Sequence, residues 1–296
     1  AGTANFEAFY NTSIVSSIIR LKGFLTVYSG GQLDAKLCED FNPELFNLDR
    51  MERLVDKFRH HILGFKIRLS KGVVPDETKA DYLKAVVDLA DRFSHRLGTD
   101  LKVCVHTTNS PISAGELASC LRPGDIFCHC FQGGRNHMIL PDGTIDPGIL
   151  EARKRGVIFD AANGKSNFGL ATAKQALAQG FLPDIISSDL TSDKFNIPPY
   201  AKNFPVVLSK YLTLGMCLMD VLRSATEAPA KAMGMEGQIG TLKPGAYADV
   251  VLLEEKNILV HHKDWMDEEL LGNELLVPKM TICAGEIQYC ATDFWV

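Results

Sequence analysis

Short apolar runs alternate with longer stretches of helical period from the start of the chain to about residue 195. This alternation predicts repeated strand-helix units and a parallel sheet, because parallel neighbours need a crossover long enough to hold a helix. The strand candidates are residues 24–28, 64–69, 102–106, 125–130, 157–161 and 184–188. Helical stretches at 48–60, 76–97 and 171–179 lie between them, and Gly180 closes the last as a C-terminal stop. A Pro-rich loop at 197–205 ends the alternation and a long amphipathic stretch follows at 206–233. Residues 240–253 read as a turn followed by a strand, and 279–289 as a further strand. The expected organisation is an α/β domain over 1–235 and a small β portion over 236–296.

Six parallel strands fit either an open doubly wound sheet or an eight-stranded barrel lacking two strands. Single polar residues at the ends of several strands, in place of a Gly-rich phosphate loop, favour the barrel. The 296 residues are 46% hydrophobic and 23% charged, enough to bury a large core. With a net charge of -5 and no basic cluster of more than a few residues, the long-range field gives no reason to expect nucleic acid or an anionic membrane, and a small molecule is the expected partner. No apolar run approaches the roughly 18 residues of a membrane span. The opening AGTANFEAFY lacks the order of a signal peptide, so cytoplasmic residence is expected. The eight cysteines never form CxxC and several sit in apolar runs, as reduced core thiols do.

Four chemistry-bearing residues close or nearly close apolar runs: Lys66 in GFKIRLS, His106 in VCVHTTN, His129 in IFCHCFQGG and Asp189 in DIISSDL. On a barrel all four would point into one mouth. Neutral imidazoles with oxygen ligands suit zinc. A lone strand histidine is more often a satisfied core residue than a ligand, but two at strand ends shift the balance toward a site. An ammonium at Lys66 among apolar neighbours costs several kcal/mol, relieved either by carboxylation to an anionic bridging ligand or by a salt bridge. Cys128 and Cys130 flank His129, and period-two alternation turns both away from it into the helix-facing layer. Arg68 shares the face of Lys66 and suits bidentate binding of a substrate carboxylate, with an ion pair at the rim as the alternative. Asn163, Lys165 and Ser166 lie on the loop after 157–161, where they line the pocket or are merely solvated.

In this order the motifs GFKIRLS, VCVHTTN, HCFQGG, FDAANGKSNF and SSDLTSD resemble strand-end motifs of the amidohydrolase superfamily, in particular its dihydroorotase-like deacetylase group, over about residues 3–285. The tail, SATEAPAKAMGM followed by IGTLKPGAYADVVLLE, is similar to that superfamily's passage from its last barrel helix into a small β-sandwich. The resemblance implies a TIM-like (β/α)8 barrel with a small C-terminal β-sandwich portion. It also implies two zinc ions per complete site, with other divalent metals compatible, bridged by a carboxylated lysine at Lys66. His106 and His129 match the ligands of strands five and six, and Asp189 the aspartate of strand eight. That aspartate binds one metal, takes a proton from the bridging water and, after hydroxide attacks the polarised carbonyl, protonates the leaving group.

The function so implied is metal-dependent hydrolysis of an amide, cyclic amide or ester in a small molecule carrying a carboxylate, by a homo-oligomer. Two features depart from the pattern. No His-x-His pair precedes Lys66, since His60 and His61 are adjacent and end a helical stretch. By motif order, 24–28 is the third strand, so the first two strands are expected from a longer gene product or a separate chain. Asn163 stands where many relatives have a histidine. The competing reading is an impaired homologue or fragment acting as a scaffold or subunit, against which the four inward polar residues argue. A mononuclear deaminase would have no use for Lys66.

Overall fold

The first helical turn, α1 (Phe6–Phe9), continues as a π-type turn over Tyr10–Ile14. Strand-helix units follow in the order β1 (Gly23–Thr26), α2 (Leu48–Lys57), β2 (Ile62–Arg68), α3 (Asp81–Leu97), β3 (Lys102–His106), α4 (Ala114–Ser119), β4 (Ile126–Cys128), α5 (Pro147–Arg155), β5 (Ile158–Asp160) and α6 (Leu170–Ala178). This computed structural model describes residues 1–33, 46–164, 166–191 and 203–294. Lys165 and most of the expected 197–205 loop lie outside the described residues. Among the described residues, no helix is long and apolar enough to cross a membrane.

Local chemistry sets the helix ends. Asn47, Ser113 and Asp146 each accept a backbone N–H at the start of α2, α4 and α5 through their side chains. Asp146 also accepts from Gly115 N at 3.2 Å, so one carboxylate serves two helix starts. Pro147 follows it at the first turn of α5, and left-handed Gly98 and Gly156 end α3 and α5.

The strands form a five-stranded sheet in chain order β1-β2-β3-β4-β5. Two compact units divide the chain: Ala1–Cys128 with Gly134–Phe159, and His129–Gly133 with Asp160–Val296. In the first unit β1, β2, β3 and β4 pair in parallel, with Lys66 opposite Cys104 and Arg68 opposite His106. Phe65, Ile67, Val103, Val105 and Phe127 form the buried face, and the Phe65 ring meets Phe93 of α3 at 5.9 Å. At the other end of these strands Asp125, 1% exposed, accepts from Val103 N at 2.7 Å, from Arg122 N at 2.8 Å and from the Arg122 guanidinium.

In the second unit the stretch 184–188, expected as a strand, is not one. It makes an isolated bridge between Asp160 and Ile185, and Ala161, Asn163 and Gly164 donate backbone N–H groups to Ile185, Ser187 and Ser188. Pairing survives while the left-handed backbone at Ala162 and Asp189 breaks the regular ladder. The amphipathic stretch 206–233 is three helices, α7 (Phe204–Thr213), α8 (Leu218–Ala225) and α9 (Glu227–Ala232). Gly215, at φ +94, makes the first break. The remaining strands β6 (Val250–Lys263), β7 (Glu269–Cys283) and β8 (Glu286–Cys290) form a separate antiparallel sheet in the order β6-β7-β8. Residues 279–289, expected as one strand, instead turn at Ala284 and Gly285. Helix α7 packs on β7, with Leu276 N donating to Ser209 Oγ at 2.9 Å.

Candidate active site

The first unit presents Lys66, Arg68 and His106 on one face of adjacent strands, at or near their C-terminal ends. Parallel register puts paired residues on the same side, and Phe65 and Ile67 turn the other way toward the buried layer. All three are half-buried. Lys66 Nζ donates to Cys104 Sγ at 3.3 Å. A hydrogen bond with Cys128 and burial push the Cys104 thiol well above its usual range, and the Lys66 charge pulls partly back. Cys128, paired with His106 across the strands, therefore lies on the face of Lys66 and not in the helix-facing layer. Alternation misplaces it because His129 has φ +64, which ends the strand before the pattern reaches that residue. None of the described cysteines forms a disulfide.

The second unit holds His129 and Asp189. His129 is 2% exposed, and its Nδ1 lies 2.7 Å from the carbonyl of Ala162. A carbonyl only accepts, so Nδ1 carries the proton and Nε2 the lone pair, the tautomer a metal ligand needs. Asp189 is exposed with φ +47, and its Oδ2 accepts from Asn167 Nδ2 at 2.8 Å. Gly164 makes that approach possible: a Cβ there would stand 2.4 Å from Asp189 Oδ2. Left-handed backbone at non-glycine residues clusters at functional positions, and His129, Ala162 and Asp189 all adopt it.

Asn163, 1% exposed, uses both ends of its amide inside the protein, donating to Ser187 O at 2.9 Å and accepting from Tyr211 OH at 3.3 Å. Ser166 is exposed. Asp160, which the sequence reading passed over, accepts Ser187 Oγ on both carboxylate oxygens at 2.9 Å and Ala162 N at 3.0 Å. Its position in FDAANG, polar at the close of an apolar run, is the same signal that marked His129. Asn167 carried no such mark, because only the fold brings it to Asp189.

The donor types fit a divalent ion such as zinc: imidazole nitrogens, a carboxylate, and a lysine whose carboxylated form supplies oxygens. Among the described residues no three His, Cys, Asp or Glu side chains form a group able to hold a metal ion. Lys66 and His106 belong to the first unit and His129 and Asp189 to the second.

Residues 78–288 match the amidohydrolase family. A deacetylase of Brucella anthropi is 26% identical over 97% of this chain and 69% of its own length. A deacetylase of Agrobacterium fabrum is 28% identical over 86% of this chain, which spans 60% of that relative. The crystal structure of a dihydroorotase superposes with a TM-score of 0.86 at 25% identity, covering 98% of this chain and 74% of that one. The order of strands and helices, the strand-end residues and the match over 78–288 agree: the chain belongs to the amidohydrolase family.

Proposed function

We propose that the complete protein is a metal-dependent hydrolase that cleaves an amide, cyclic amide or ester bond in a small molecule carrying a carboxylate, as a deacetylase or dihydroorotase-like enzyme does. The observation that carries this reading is His129, buried and held by the Ala162 carbonyl in the tautomer that offers Nε2. Lys66 in carboxylated form, His106, His129 and Asp189 would hold divalent metal, zinc by donor type. When bound, the metal polarises the scissile carbonyl and lowers the pKa of water. Asp189 takes the proton from the attacking water and returns it to the leaving group, with Asn167 holding its carboxylate in line. Arg68, on the face of Lys66, binds the substrate carboxylate as a fork. Asn163, Lys165 and Ser166 complete the substrate-binding set of this reading.

The test is hydrolysis by the full-length, metal-loaded protein of a panel of N-acyl amino acids, cyclic amides and acyl esters. Turnover of at least one class is expected. Asp189→Asn at full metal loading should lower that turnover by roughly two to four orders of magnitude. Near-normal turnover would leave Asp189 as a ligand only. Failure on every class would favour the scaffold reading.

A further inference from the structure

Beneath the residues that hold Asp189, the second unit buries a group of charged and aromatic side chains outside the candidate ligand set. Lys210 of α7 is 9% exposed, and its Nζ stands 3.6 Å from the centroid of the Phe168 ring. Asp264, 4% exposed at the turn between β6 and β7, provides the negative charge that acts on Lys210. Its own carboxylate accepts backbone N–H groups from Leu170 at 2.8 Å, Met266 at 2.8 Å and Glu268 at 3.0 Å. His262 of β6, which burial, Lys210 and His261 hold down to about 4, is the neutral neighbour. The Tyr211 phenol, pushed well up by burial, stands on the same helix as Lys210.

Phe168 is where these contacts meet. Its ring takes Phe131, two residues beyond His129, edge-on at 6.3 Å, and Tyr211 edge-on at 6.0 Å. The Tyr211 hydroxyl in turn donates to Asn163. The residue just before Phe168, Asn167, donates to Asp189. Gly133 and Gly169 approach so closely that a Cβ on Gly169 would lie 2.7 Å from Gly133 Cα, which brings the loop after His129 against the start of α6. An amine is costly to bury, and a leucine or methionine would fill the same space without that cost. What the amine adds is a directed attraction to one aromatic face and one carboxylate.

We propose that Lys210 is a positioning residue: seated on Phe168 and drawn to Asp264, it fixes Phe168 and with it the neighbouring Asn167 amide that orients the Asp189 carboxylate. This rests on the reading of Asp189 as the proton-handling group.

Lys210→Met keeps most of the side chain's length and removes the amine. In full-length, metal-loaded protein it should lower kcat about tenfold or more while KM and metal content stay within about twofold. Adding Lys210→Met to Asp189→Asn should cost nothing further, since the two act on one step. Phe168→Leu, which keeps the amine and removes its seat, should give the same loss and serves if the methionine variant does not fold. Backbone hydrogen exchange should show lost protection at Asn167 and Phe168 in Lys210→Met. Unchanged kcat, or a loss that adds in full to that of Asp189→Asn, would overturn the proposal. A wild-type protein that hydrolyses nothing refutes the functional reading instead. Exchange then decides the positioning claim by itself, and unchanged protection sinks it.

Discussion

Replacing Lys210 should change how stability depends on pH. Burial lowers the Lys210 amine from its ordinary 10.5 to about 7, with Asp264 pulling in the opposite direction. Because the folded-state value is depressed, the folded protein binds fewer protons than the unfolded chain between about 7 and 10.5. Stability must therefore rise with pH through that window. Below it both states hold the proton and the native state carries the full cost of the buried cation; above it that cost is gone. One pKa unit corresponds to about 1.4 kcal/mol, so from pH 7 to 10 the wild type should gain roughly 4 kcal/mol from this group. Lys210→Met lacks the titration, and its curve should miss that gain. Urea unfolding of both proteins at pH 7, 8.5 and 10, compared as a difference so that other titrating groups cancel, measures the effect. Parallel curves would show that Lys210 titrates at its ordinary value, and the picture of an amine sealed between Phe168 and Asp264 would be wrong.

His106→Ala and His129→Ala should each lower the divalent metal content of the full-length protein in elemental analysis, and unchanged content with both replaced would remove them from the site. Asp125→Ala strands two backbone N–H groups, while the Arg122 guanidinium keeps Asp91 and the Leu101 carbonyl, so unfolding in urea should show a loss of about 2–4 kcal/mol; a loss below about 1 kcal/mol would mean that water replaces the carboxylate. Gly164→Ala puts a methyl group 2.4 Å from Asp189 Oδ2, at a residue with φ +52. Turnover should fall with metal content maintained, and normal turnover would count against any role for the Asp189 orientation.

Five of the six strand candidates, and the helices after the first, second and fifth, are legible in the sequence because a buried parallel strand and an amphipathic helix write their periods locally. The strand-end positions of Lys66, His106 and His129 follow from the same pattern, as does the shared face of Lys66 and Arg68. Helix α5 carries its own local signals in DPGILEARKRG, Asp146 and Pro147 at its start and Gly156 at its end. Other features had no local signature. Left-handed backbone at His129 and Asp189 decides where alternation stops, and with it the face that Cys128 joins. Such conformations persist only where surrounding structure holds them. Lys210 sits in FPVVLSKYLTLG as one polar residue on an amphipathic helix, which ordinarily means a solvated side chain. Its burial depends on Phe168 and Asp264, which lie 42 and 54 residues away along the chain. Hydrophobic period is a property of neighbours in the chain, whereas the environment of a charge is set by whatever the fold brings against it. The elements of this protein were thus written in its sequence, and the surroundings of Asp189 and Lys210 were decided only when those elements packed.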